Sequence, residues 1–63
     1  MSNVQDKMRG NWNMIKGSLK QKYGELTNND LAYEEGQEDL LLGRIQHKIG
    51  KTKEEVIDFI DSL

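Results

Sequence analysis

The sequence predicts an all-α fold, a small bundle of three main helices plus a short connecting helical turn. Apolar residues recur every three or four positions, the spacing of one helical face. The chain contains no proline, so nothing in it forbids long helices. No segment alternates apolar and polar residues for long enough to form a strand. Because 63 residues match the size of one small domain, we expect residues 1–63 to form a single helical domain.

The first predicted helix begins at a capping box and follows one apolar stripe. Ser2 fits the N-cap position, and Gln5 can reach back to it from three residues later. The helix is predicted to end at Gly24, which takes the place of a C′ glycine. Steps of three or four residues join the members of the stripe, which are Val4, Met8, Trp12, Ile15, Leu19, Tyr23 and Leu26.

Two further helices are predicted in the second half of the chain. Residues 27–30 are rich in capping side chains and form a linker, and a short helical turn is expected over residues 30–35. The second helix ends at Gly50, and a capping box of Thr52 and Glu55 begins the third. The second helix carries a looser stripe of Leu31, Leu41, Leu42, Ile45 and Ile49, and the third contains Val56, Ile57, Phe59, Ile60 and Leu63.

The chain also contains two pseudo-repeated helix segments. Its six glycines form two triplets with a spacing of seven residues, and the second triplet follows the first at an offset of 26 residues. The same offset pairs Met14 with Leu40 and Leu19 with Ile45. Two copies are too few for a solenoid, so they predict two similar helices related by pseudo-symmetry. The triplets are Gly10, Gly17 and Gly24, then Gly36, Gly43 and Gly50.

Three of these glycines require a separate explanation. Gly10, Gly17 and Gly43 are predicted in helix interiors, where each costs about 0.8–1 kcal/mol relative to alanine. Met14 lies beside the first two and Leu40 beside the third, so each long helix has a second face of small and apolar residues. The favoured interpretation is that another element of the domain packs closely there. The alternative is an exposed face for a partner helix or for self-association.

Charge is distributed in blocks along the chain, whose net charge is −2. Residues 1–24 carry +4, residues 25–39 carry −6, residues 40–53 carry +4 and residues 54–63 carry −4. This mixture disfavours nucleic-acid binding through bulk charge. We expect the helices to complement one another across their rims. The alternative is that the basic first helix faces an acidic partner or nucleic acid.

No targeting or membrane segment is evident in the sequence. The longest apolar run is residues 40–42, which is far too short to span a bilayer. Residues 1–6 are polar and do not resemble a signal peptide. We therefore expect a cytoplasmic protein without membrane association.

The residues that could carry chemistry form no catalytic, cofactor-binding or metal-binding constellation. The chain has no cysteine and one histidine, His47, which cannot by itself build a zinc site. Gly50, Lys51 and Thr52 resemble the end of a P-loop, but the earlier glycine and the preceding strand are missing. The acidic residues near Gly36 are interpreted as a solvated face or as charge that favours a helix N-terminus. They are Glu34, Glu35, Glu38 and Asp39.

The order of these motifs resembles the CsbD-like family of small bacterial stress-response proteins. The resemblance covers most of the chain, from about Gly10 to the final helix. Two positions depart from the family pattern. Where this chain has Tyr23 the family often has tryptophan, and where it has Ile49 the family often has an aromatic residue. The residues that carry the resemblance are Asn11-Trp12, Lys16-Gly17, Tyr23-Gly24-Glu25-Leu26-Thr27-Asn28-Asn29-Asp30, Gly36, Glu38-Asp39, Gly43, Ile45-Gln46 and Gly50.

This resemblance implies a small helical bundle in the bacterial cytoplasm, produced under general stress. It implies no enzymatic activity, no cofactor and no mapped binding site. We therefore expect a non-enzymatic stress-response protein that acts by interaction, with an unknown protein partner or a second copy of itself. The alternative is a nucleic-acid-binding helical module that uses the basic first helix.

Overall fold

The structure is a computed structural model that describes residues 3–63, and it contains three α-helices. They are α1 (Val4–Lys22), α2 (Glu38–Ile49) and α3 (Lys53–Asp61). Helix α3 packs against both α1 and α2. Within residues 3–63 there is no strand. The predicted all-α class with three main helices is therefore confirmed.

The two ends of α1 differ from their predicted form. The predicted cap Ser2 lies outside the described residues, and the N-cap is Asn3, whose side chain accepts the Asp6 N–H at 3.2 Å. The helix ends at Lys22 because Tyr23 leaves the helical conformation, with φ −120° and ψ 88°. Gly24 follows without the left-handed conformation of a C′ glycine, since its φ is not positive. The expected role of Gly24 was therefore wrong.

The predicted stripes form most of the core. Leu63, predicted inside the third helix, lies beyond the end of α3 and is exposed, so that prediction was wrong. Leu31 is buried as expected of the stripe, but it lies in the connecting turn and not in α2. The α1 side contributes Met8, Ile15 and Leu19, and the half-buried Val4, Trp12 and Tyr23 pack against its edge. Burying apolar side chains of this size is the main source of stability in a chain this short. The ten buried apolar residues are Met8, Ile15, Leu19, Leu26, Leu31, Leu41, Leu42, Ile45, Val56 and Ile60.

The end of α2 and the start of α3 follow the sequence prediction. Gly50 adopts the left-handed conformation with φ 69°, and its N–H donates to the Gln46 carbonyl at 3.0 Å. Thr52 caps α3, because its hydroxyl accepts the Glu55 N–H at 3.1 Å and donates to the Glu55 carboxylate at 3.3 Å. The glycine stop is confirmed, and so is Thr52 as the N-cap of α3, but the Glu55 carboxylate accepts from the Thr52 hydroxyl and not from the Thr52 backbone N–H that a capping box would use.

The connecting helical turn lies earlier than predicted. It spans residues 28–31 instead of 30–35, and the Leu31 N–H donates to the Thr27 carbonyl at 3.2 Å. Asp30 accepts the Thr27 N–H at 3.0 Å, and the Thr27 hydroxyl accepts the Asp30 N–H at 3.2 Å. The Asp30 carboxylate accepts hydrogen bonds from the Thr27 N–H and from the Thr27 hydroxyl, and these two bonds lower the pKa of Asp30. These reciprocal hydrogen bonds between Thr27 and Asp30 fix the position of the turn.

Candidate functional site

A cleft with a volume of about 580 Å³ lies between α1 and the segment that connects it to α2. Its charged lining residues are Arg9 and Lys16, both cations, and its amides come from Asn11 and Asn13. A volume of this size falls within the range of about 300–1,000 Å³ found for ligand pockets. The other lining residues are Gly10, Trp12, Met14, Leu31, Ala32 and Tyr33.

The α1 wall of this cleft contains a kink. Asn11 has φ −136° and ψ 29°, which interrupts the helical conformation directly after Gly10. Glycine is the weakest helix former after proline, so the helix is least stable there. On the far side of the kink, the Trp12 indole N–H donates to the Leu31 carbonyl at 3.0 Å. The Trp12 ring lies 5.5 Å from the Tyr33 ring, so the kinked helix is attached to the connecting segment at two points.

A buried carboxylate, Glu38, holds the other end of the connecting segment. It accepts a hydrogen bond from the Tyr33 hydroxyl at 2.6 Å and another from the Gly36 N–H at 3.2 Å. Arg9 Nη2 lies 3.9 Å from the same carboxylate oxygen, Oε2. The hydrogen bond from Tyr33 and those from backbone N–H groups hold the pKa of Glu38 below its usual value. The same bond to Glu38 raises the pKa of the Tyr33 hydroxyl.

These partners give Glu38 a structural role. A carboxylate kept ionised by a hydroxyl and a backbone N–H is a hydrogen-bond acceptor and is poorly suited to accept a proton at neutral pH. Glu34, Glu35 and Asp39 are exposed, as expected of a solvated acidic face, whereas Glu38 is buried. The solvated face was therefore wrong for Glu38, whereas the alternative, charge at a helix N-terminus, agrees with its position and that of Asp39 in the first turn of α2.

The burial of Glu38 follows from the helical period of α2. Glu38 precedes Leu41, Leu42 and Ile45 by three, four and seven residues, so it continues the buried stripe of α2 by one turn. A charged residue on such a stripe is expected to have a hydrogen-bond partner. The nearest polar aromatic residue in the sequence is Tyr33, which is the partner found.

Two cations of α1, Lys7 and Arg9, have partners within the described residues. Lys7 Nζ donates to the Asp61 carbonyl at 2.9 Å and to the Leu63 carbonyl at 2.6 Å. Arg9 pairs with Asp6 at 3.2 Å and lies 3.9 Å from the Glu35 carboxylate. Two further ion pairs join the basic and acidic blocks, Lys48 with Asp30 and Lys53 with Asp39. Charge complementation between the blocks is therefore present, as predicted.

The two large apolar residues that the repeat pairs are both exposed. Met14 is 48% exposed and Leu40 is 60% exposed. Leu40 lines a second, smaller cleft of about 150 Å³ with Glu34, Arg44 and Ala32. The exposed Ala32 also lines the first cleft beside Met14. Each of the two clefts is thus lined by one of these apolar residues and by the same alanine.

The glycines of the helix interiors face open space. At Gly10, Gly17 and Gly43, a Cβ atom would meet no heavy atom of the described chain within 4 Å beyond the helix's own backbone. Close packing of another element against these glycines was therefore wrong, and the exposed-face alternative fits the structure. We call this surface the repeat face and define it by Met14, Ala32 and Leu40 with Gly10, Gly17 and Gly43.

The remaining sequence candidates carry no constellation in the part of the chain that the structure describes. His47 is exposed in the last turn of α2. Residues 3–63 contain no group of three His, Cys, Asp or Glu side chains placed to hold a metal ion. Among the helices described for these residues, none is both long and apolar enough to cross a membrane.

Comparison with known proteins places these features in a family context. The family model described as CsbD-like matches residues 6–58. A UPF0337 protein of Pectobacterium atrosepticum is 47% identical over 49 residues, which cover 78% of this chain and 71% of the relative. The UPF0337 protein YjbJ of Escherichia coli strain K12 is 40% identical over 58 residues, covering 86% of this chain and 84% of the relative. No solved structure matches the chain.

Proposed function

Because the chain belongs to the CsbD-like family, we propose that it is a bacterial stress-response protein that acts by binding another macromolecule, without catalysis. The binding surface in this proposal is the repeat face. The proposed location is the cytoplasm.

The exposure of Met14 and Leu40 is the observation that carries the proposal. A single exposed apolar side chain is ordinary on a protein surface. Here two large ones occupy equivalent positions of an internal repeat, and each lines a cleft that Ala32 also lines. Exposed apolar side chains beside a cleft are a feature of interaction sites. The open glycines beside each apolar residue would let a partner backbone approach closely.

The buried polar network supports a role without catalysis. Glu38, Tyr33 and Gly36 satisfy one another by hydrogen bonding, with Arg9 beside them. A side chain that acts as a catalytic acid or base must face the substrate to donate or accept its proton. In this network the carboxylate faces its structural partners, which suits a group that stabilises the fold.

The same contacts favour a protein partner over nucleic acid. Phosphate binding needs cations that are available to displace counterions. Lys7 is engaged by two carbonyl groups, and Arg9 lies among three carboxylates. Two of the five cations of α1 are therefore engaged within the chain, whereas Lys16, Lys20 and Lys22 form no ion pair among the described residues.

Complementation in the bacterium that encodes the chain tests the proposal. A deletion strain would receive the wild-type gene, a double variant Met14→Lys and Leu40→Lys, or a control Gln21→Lys and His47→Lys. The control pair is exposed, makes the same substitutions to lysine on the same helices, and lines neither cleft. Circular dichroism would establish that all three proteins fold.

Survival after heat, salt and acid stress is the readout. We expect the wild type and the control to restore survival and the Met14/Leu40 variant to fail. If the deletion strain survives as well as the wild type, the stress role is wrong. If the Met14/Leu40 variant protects fully, the repeat face is not the functional surface.

A further inference from the structure

We propose that Met14 is an oxidation site for hydrogen peroxide, and that its conversion to the sulfoxide turns the repeat face off as a binding surface. The inference rests on the proposed function, because it supplies a means of regulating the same surface. It concerns the thioether sulfur of one exposed residue, and it requires no change of fold.

The fold separates two methionines by their access to solvent. The chain has three methionines, of which Met1 lies outside the described residues. Met8 is fully buried in the core, whereas Met14 is 48% exposed. A dissolved oxidant can therefore reach the Met14 side chain directly, but it reaches Met8 only when the core opens.

The chain offers a two-electron oxidant no thiol in place of Met14. A cysteine thiolate is the usual first target of such oxidants, and this chain has no cysteine. Since Met8 is buried, Met14 carries the exposed sulfur of residues 3–63. Hydrogen peroxide should therefore act on the folded chain at this residue first.

The reaction transfers one oxygen atom to sulfur. A lone pair of the Met14 sulfur attacks one peroxide oxygen, an S–O bond forms and the O–O bond breaks. The departing hydroxide takes up the proton from the transferred oxygen and leaves as water. The sulfur is oxidised by two electrons and the peroxide is reduced by two. Methionine sulfoxide reductases reverse the step.

The product places a polar side chain where the repeat face had an apolar one. On the free chain the new oxygen meets water, and the side chains of Asn11, Asn13 and Lys16, which line the same cleft, provide hydrogen-bond donors. We therefore expect oxidation to leave the fold intact. An apolar partner group packed on Met14 would leave the oxygen unpaired, so we expect binding to weaken by at least about fivefold.

The internal repeat supplies a matched pair of variants. Leu40 occupies the equivalent position of the second copy, is 60% exposed, and has no sulfur to oxidise. The variant Met14→Leu therefore keeps an apolar residue at its position and removes the reactive atom. The reverse variant Leu40→Met places a thioether at the equivalent exposed position, where it should react as Met14 does.

NMR of the chain labelled at its methionine methyl groups follows each sulfur separately. We expect hydrogen peroxide to oxidise Met14 at least about tenfold faster than Met8, and Leu40→Met to add a second fast site. In denaturing urea the two native rates should become equal, because the fold no longer protects Met8. Equal rates in the folded chain, or a melting temperature that falls by more than about 5 °C once Met14 alone is oxidised, overturn the proposal.

Complementation tests the effect on function. A deletion strain that carries the wild type or Met14→Leu would receive hydrogen peroxide briefly before heat, salt or acid stress. Mass spectrometry of the intact and fragmented protein would measure the sulfoxide at Met14 in the same cells. We expect survival with the wild type to fall by at least about twofold relative to survival with Met14→Leu. Equal survival of the two strains, or no sulfoxide at Met14, overturns the switch.

The two proposals fail in different ways. If the Met14/Leu40 lysine variant loses protection without peroxide, while oxidation of Met14 leaves protection intact, the repeat face remains the functional surface and the switch is wrong. If that lysine variant protects fully, the proposed function is wrong at this surface, and the switch fails with it. Loss of protection in both experiments, with Met14→Leu resistant to peroxide, supports both proposals.

Discussion

The two copies of the repeat have the same glycine spacing but different backbone conformations at their ends. Gly10 lies inside α1 beside a kink, whereas its counterpart Gly36 precedes α2 with φ 89°. Gly24 follows α1 without the left-handed conformation, whereas Gly50 adopts it and ends α2. The shared spacing therefore does not encode shared helix boundaries.

The middle of each copy is what the two have in common. Gly17 and Gly43 both lie inside helices and face open space, and Met14 and Leu40 beside them are both exposed. A glycine in such a position costs helix stability and gains nothing from internal packing. The comparison indicates that the repeat preserves a surface, and that each helix end is built by its own local contacts.

The largest expected effect is a loss of stability on replacing Glu38, the buried carboxylate in the first turn of α2. Glu38→Ala removes the acceptor for the Tyr33 hydroxyl and the Gly36 N–H, which leaves polar groups without partners. We expect the melting temperature to fall on the order of 10 °C, measured by circular dichroism. The control Glu35→Ala alters an exposed neighbour and should change the melting temperature by no more than about 3 °C. Equal falls in the two variants would contradict the structural role of Glu38.

A matched pair of substitutions separates the C-terminal ends of the two copies. Gly50→Ala places a Cβ atom in a left-handed conformation, which costs about 1–2 kcal/mol. Gly24→Ala meets no such strain, because the φ of Gly24 is not positive, and we expect a change below about 0.5 kcal/mol. Urea denaturation measures both. A loss at Gly24 as large as that at Gly50 would show that the two ends are equivalent after all.

A second pair of substitutions tests whether the glycine in the middle of each copy faces open space. Gly17→Ala and Gly43→Ala each place a methyl group in open space on a helix. We expect each to raise the free energy of unfolding by about 0.8–1 kcal/mol, because alanine is the better helix former. Urea denaturation of each variant and of the wild type at the same protein concentration gives the comparison. A destabilised variant at either position would mean that the glycine is required by packing.

The smallest effect is expected in acid and again concerns Glu38. Its folded pKa lies below its ordinary value of 4.5, so its stabilising effect is present above that value and is lost as the pH falls through the folded pKa. Glu38→Gln cannot titrate at this position. We expect the wild type to lose a few degrees more of melting temperature than Glu38→Gln between about pH 6 and pH 3. Parallel losses in the two proteins would exclude this contribution.

Local signals in the sequence predicted the second half of the chain well. Thr52 and Glu55 form a cap within three residues of each other, and Gly50 stops α2 through its own backbone conformation. The stripe from Met8 to Leu26 gave the core side of α1 because helical period fixes which side chains share a face. All these features depend on contacts within one or two turns.

The features that were missed depend on contacts between distant segments. The kink at Asn11 is accompanied by Trp12 bonding to Leu31, 19 residues away. The openness of the glycine faces depends on where the connecting segment lies, which the period of a single helix does not determine. Only the exposed alternative, and not the favoured internal packing, agrees with the observed surface.

The hydrogen bonds from Lys7 have a consequence for how the chain folds. Helix α3 has nine residues and no basic residue in its last turn, and isolated helices of that length are marginal in water. Lys7 supplies the missing cation from 54 residues away, where it meets the carbonyl groups at the end of α3. Helix α3 is therefore stabilised at its C-terminal end by α1, and we expect Lys7→Ala to speed hydrogen exchange in the last turn of α3 more than in its first turn, which Thr52 caps.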